Sequence, residues 1–120
     1  MNKDARIFIA GHRGLVGSAI HRELTRLGYT NVITRPRAVL DLLDTEAVNN
    51  FFAEQKPEYV FLAAAKVGGI LANNNYPADF IRDNLILQTN IIEASYRNGV
   101  LKIVVPRLEA AKPRQIQVNR

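Results

Sequence analysis

Apolar residues along this chain alternate between short continuous runs and longer stretches of helical spacing. Arg6-Ile7-Phe8-Ile9-Ala10 is a run that ends at Gly11, as expected for a strand buried on both faces. Val16, Ala19, Ile20, Leu24 and Leu27 then recur at helical spacing. They predict a helix from Leu15 to Leu27, with His21, Arg22 and Arg26 facing solvent and Gly28 as its stop. Asn31 to Thr34 reads as a second strand and Ala38 to Leu43 as a short third one, a stub reached by a link too short for a helical crossover. Asp44 or Thr45 caps a helix that runs to Gln55, with Glu46 in its first turn, and Lys56-Pro57 ends it. Tyr59 to Ala63 is a further buried strand. A polar loop rich in Gly and Asn covers residues 66 to 76. Pro77 opens a long helix that ends near Asn98-Gly99, and Leu101 to Val105 is the last strand.

Strands that alternate with helices imply an α/β fold, a Rossmann-type parallel sheet with helices on both faces. Right-handed crossovers place the early strands on one side of the first and the later strands on the other, so the expected order is 3-2-1-4-5. Periodicity stops after Val105. Residues 1–105 therefore read as one nucleotide-binding domain, incomplete as a sheet, and residues 106–120 as a disordered basic tail.

Charge sharpens that boundary. Residues 1–105 hold twelve Lys/Arg against ten Asp/Glu, whereas the last fifteen hold four against one. The tail has no aromatic residue to stack on bases, so it reads as a solvated end and not a nucleic-acid arm. No run approaches the roughly eighteen apolar residues of a membrane span. The short apolar run after Met1-Asn2-Lys3-Asp4 does not fit a signal peptide, so a cytoplasmic location is expected. Cysteine is absent, which removes disulfides, thiolate nucleophiles and Cys-type zinc sites; no metal site is expected.

The chemistry lies in Gly11-His12-Arg13-Gly14-Leu15-Val16-Gly17. A glycine turn that follows a buried strand and opens an amphipathic helix is built for pyrophosphate. Gly11 permits the tight turn, Gly14 lets backbone approach the phosphates, and Gly17 lets the helix pack close. The free amides and positive dipole end of the helix then face the anion. Strand two ends Ile33-Thr34-Arg35-Pro36-Arg37, without the acid that would bond the ribose 2′-hydroxyl of NAD. Arg37 and Arg13 can instead clamp a 2′-phosphate, which favours NADP(H). Arg35 by itself reads as a solvated side chain, and His12 as a loop residue with no catalytic task.

The G-x-x-G-x-x-G spacing resembles the extended short-chain dehydrogenase/reductases. Three further stretches narrow the resemblance: Ala63-Ala64-Ala65-Lys66-Val67-Gly68-Gly69-Ile70, Asn73-Asn74-Asn75-Tyr76-Pro77-Ala78-Asp79-Phe80-Ile81, and Asn84 with Asn90-Ile91-Ile92. Together with Phe8 to Gly17 and Asp41-Leu42-Leu43-Asp44, they resemble the GDP-L-fucose synthase family over residues 5 to 105. That family epimerises C3 and C5 of GDP-4-keto-6-deoxy-D-mannose and reduces its C4 ketone with NADPH, so it is both isomerase and oxidoreductase. The resemblance implies that Gly11, Arg13, Gly14, Leu15, Val16 and Gly17 bind the pyrophosphate side and Arg37 the 2′-phosphate. It implies further that Asp41 and Leu42 border the adenine, and that Ala63, Ala64, Ala65 and Lys66 line the nicotinamide end. Close packing is the plainer role for the three alanines, and Lys66 would contact substrate or simply be solvated. Asn73 to Asn75 would bond substrate hydroxyls or simply shape a turn.

The acid–base machinery of this superfamily, a Tyr-x-x-x-Lys pair and a Ser, has no match here. Four residues after Tyr29, Tyr59, Tyr76 and Tyr96 come Ile33, Ala63, Phe80 and Val100. The serines are Ser18 and Ser95, and the family's Ser-Ser-Cys segment is replaced by Pro106-Arg107-Leu108-Glu109. No catalytic residue is therefore assigned. The chain reads as the first part of such an enzyme, with the nucleotide-sugar substrate belonging to the full-length family. A stand-alone NADP-binding or self-associating module with a basic partner-binding tail is the alternative. The open edge at Lys102 to Val105 is expected to make the chain oligomerise, as a homo-oligomer, or leave it only marginally stable; a compact, monodisperse monomer in light scattering would count against this.

Overall fold

The computed structural model describes residues 1–64 and 77–106. In it, β1 (Ile7–Ala10), β2 (Val32–Ile33), β3 (Tyr59–Leu62) and β4 (Lys102–Val104) form one sheet in the order β2-β1-β3-β4. All three ladders are parallel, with Ile7 opposite both Val32 and Tyr59, and Val60 opposite Ile103. Among the described residues, three helices connect them: α1 (Leu15–Arg26), α2 (Thr45–Gln55) and α3 (Ala78–Arg97).

Strand alternation sorts the side chains into two cores. Phe8, Ala10, Val60 and Leu62 point to one face, where α2 and α3 bury Val48, Phe52, Ile91 and Ala94 against them. Ile7 and Ile9 point to the other, against Leu24 and Ile20 of α1. On that second face Tyr59 and Phe61 are only half-buried. The Phe8 ring lies 4.6 Å from Phe51 and 5.8 Å from Phe52, the second contact edge-on.

The helix ends follow local chemistry. α1 stops at Arg26, and the Asp44 carboxylate accepts from the Ala47 amide at 3.1 Å to cap α2. The 2-1-4-5 part of the expected order is present, but the stub expected over Ala38 to Leu43 is not a strand. Its amides are taken locally: Val39 and Leu40 donate to the Pro36 carbonyl, Leu43 to the Asp41 carboxylate and Asp44 to the Asp41 carbonyl. Amides committed to turns cannot also pair in a ladder. The inner face expected for α1 is also narrower. Ala19 is exposed because it sits about 100° round the helix from Ile20, and Leu27, at the C-cap, is 42% exposed. The expected tail falls mostly on residues 107–120 and the polar loop on residues 66–76, both outside the described residues.

Candidate functional site

A cavity of about 340 Å³ opens where the chain leaves β1 and β3. Ligands of open α/β sheets bind at the carboxyl ends of strands beside a reversal of strand order, and β1 with β3 is that place here. Three segments meet around it. Phe8, Ala10, Gly11, His12, Arg13 and Gly14 form the floor and one rim. Arg35, Pro36, Arg37 and residues 40–43 form the opposite wall, and Ala64, Asp83 and Leu87 close it.

The glycine turn has a different reason at each position. Gly11 has φ +90°, and a Cβ there would lie 2.7 Å from the Ala64 amide nitrogen. A Cβ on Gly17 would fall on the Gly11 carbonyl oxygen and lie 2.7 Å from its carbon. Both glycines are therefore required by the protein's own packing. Gly14 is not: its nearest neighbour would be the Gly11 oxygen at an ordinary 3.6 Å. Gly14 is the N-cap of α1, no side chain caps that end, and its first turn carries no acid. Gly14 lines the cavity, before uncapped amides at the positive end of the helix dipole. These features fit a cofactor's pyrophosphate.

Among the described residues, neither Arg13 nor Arg37 has a hydrogen-bond or ion-pair partner, and both are exposed at the rim. Arg35 is not the solvated side chain expected. It is half-buried, donates through Nη1 to the Thr34 carbonyl at 2.8 Å, and lies 5.4 Å over the Phe51 ring. His21 likewise departs from expectation: it is half-buried and meets His12 edge-on at 6.4 Å. Burial, then the charges of Arg13 and His21, hold the His12 imidazole below its ordinary pKa.

Of the other residues expected at the site, Asp41, Leu42 and Ala64 line the cavity. Leu15, Val16, Gly17 and Ala63 are not part of its lining; Leu15 is 83% exposed on the first turn of α1. Ala65, Lys66 and Asn73 to Asn75 lie outside the described residues. Ser18 bonds the Leu15 carbonyl and Ser95 is buried within α3, so neither serine faces the cavity. Asp83 and Leu87 were not expected. They share one face of α3, but only the tertiary fold brings that face to the glycine turn.

The model of the NAD dependent epimerase/dehydratase family matches residues 7–106. The chain belongs to this family. Its relatives within the epimerase/dehydratase family include GDP-L-fucose synthase 1 of Arabidopsis thaliana, 57% identical over 86% of this chain and 32% of the relative. GDP-L-fucose synthase of Escherichia coli is 54% identical over 82% and 31%. Among solved structures, the GDP-mannoheptose C4 reductase of Campylobacter jejuni with NADP bound is 44% identical, with TM-score 0.78 over 88% of this chain and 31% of that one. The chain thus spans about a third of the length of the family members it matches.

Proposed function

We propose that the cavity binds NADP(H), and that the chain is the cofactor-binding part of a GDP-4-keto-6-deoxy-D-mannose 3,5-epimerase/4-reductase. The observation that carries this is the convergence of an uncapped helix N-terminus with two unpaired arginines on one cavity. Pyrophosphate would lie across Gly14, and the 2′-phosphate would sit between Arg13 and Arg37. Arg35, already engaged by Thr34 and Phe51, would stiffen the wall. A bound NADPH supplies hydride; the residues of this chain hold and orient it. Among the described residues no serine and no tyrosine lines the cavity, so these walls hold neither the serine nor the tyrosine with which the superfamily exchanges a proton with a substrate carbonyl. Loss of such a group alone costs about 10²–10⁴-fold in rate.

NADPH and NADH titrations of the folded chain, read by cofactor fluorescence, test the assignment. NADPH is expected to bind more tightly. Arg37→Ala should weaken NADPH by about 10- to 100-fold, the loss of a charge-assisted pair, and NADH by less than about threefold. Equal losses for both cofactors would sink the 2′-phosphate assignment. Turnover of the nucleotide sugar by this chain alone would overturn the claim that it binds without catalysing.

A further inference from the structure

The 40–43 wall of the cavity belongs to no strand, so something other than the sheet must hold it. Leu40 is buried, and Asp41 folds the next residues into a turn on its own carboxylate. Leu42 packs against the core of α2 and α3, and a further tie comes from far along the chain. Asn90, 7% exposed on α3, donates through Nδ2 to the Leu42 carbonyl at 2.9 Å. Its Oδ1 accepts from the Thr45 hydroxyl at 3.0 Å. One buried amide thus grips the segment between the cavity wall and the start of α2. Asp83, Leu87 and Asn90 follow one another at i, i+4 and i+7, so a single face of α3 supplies part of the cavity and the clasp on its opposite wall.

We propose that Asn90 is a positioning residue for the cofactor pocket: through the Leu42 carbonyl it sets where the 41–43 wall stands against the bound nucleotide. This rests on the NADP(H) reading above. Asn90 does not itself line the cavity. A purely structural role, as a tie to α2, would lower stability without touching the pocket. A positioning role makes its effect depend on the wall.

Asn90→Asp tests this with little change in size. A carboxylate still accepts from Thr45, but it cannot donate to the Leu42 carbonyl and repels it. NADPH affinity of the full chain is expected to fall about tenfold. In an Asp41→Ala background, which already loosens the same turn, Asn90→Asp should cost at most about threefold, because residues acting through one segment are not additive. An NADPH affinity within twofold of the unsubstituted chain would overturn the proposal, whatever the melting temperature does, and so would full additivity with Asp41→Ala. Should Asn90→Asp not fold, Thr45→Val removes the other bond. It should weaken NADPH by about threefold and speed amide exchange over residues 41–44; unchanged affinity and exchange would overturn the proposal. A folded, unsubstituted chain that binds no NADPH would remove the cofactor reading itself, an outcome distinct from variants that bind like the unsubstituted chain.

Discussion

Gly17→Ala is expected to abolish measurable NADPH binding and to lower stability by about 2–3 kcal/mol, at the upper end of the cost of overpacking. The cause is backbone, not side chain. An added methyl would meet the Gly11 carbonyl group and come within 3.0 Å of the His12 Cα, and none of these atoms can rotate away. The Gly11 carbonyl already accepts from the Gly14 amide at 3.1 Å, and the Gly14 carbonyl accepts from Ser18 at 2.9 Å. Displacing Gly11 therefore moves the turn and the first turn of α1 together, and with them every amide aimed into the cavity. Gly14→Ala separates packing from ligand approach. Its methyl has room in the protein, so the chain should melt as the unsubstituted one does, yet bind NADPH far more weakly. Urea melts and NADPH titrations of the two variants check both halves. A Gly17→Ala chain with unchanged affinity would show that the turn is looser than this geometry.

Phe52→Ala should cost about 3–5 kcal/mol, the range for emptying a buried aromatic position. Phe52 is fully buried and sits edge-on to both Phe8 and Phe51. Whole domains are stable by only about 5–15 kcal/mol, so this one change should remove a large share of the chain's stability. Binding should suffer as well, because Phe8 is shared between this cluster and the cavity floor, and Phe51 carries Arg35. Phe52→Leu, which fills most of the volume, should lose less than half as much. Urea denaturation followed by circular dichroism measures both. A Phe52→Ala loss below about 1 kcal/mol would mean that the aromatic trio is not the centre of this core.

The elements whose cause is local were legible from the residues. Helical spacing and Gly28 placed α1 to within a residue at its end, the cap made by Asp44 was one of the two expected, and the apolar runs at residues 6–10 and 59–63 became the two central strands. Gly11 and Gly17 were read correctly as turn and close-packing positions, since the spacing of glycines around a strand end reports what the backbone must do. The Ala38 to Leu43 stub was misread because apolar content cannot show whether amides pair across strands or fold back on Pro36 and Asp41.

Pocket membership was the part that needed the fold. Arg35 looked solvated because nothing in its neighbourhood along the chain reveals that the distant Phe51 ring receives it. Asn90 carried a faint signal, a polar residue amid the apolar positions of a long helix, but its partners lie 45 and 48 residues earlier. By itself the sequence determined the alternation of strand and helix, the glycine turn and the arginines near it, because each rests on periodicity or on backbone freedom within a few residues. Only the tertiary structure decided which face of α3 meets the turn and what holds the 40–43 wall. Those depend on how parallel strands stack elements that are far apart in the chain, and no short-range pattern encodes that distance.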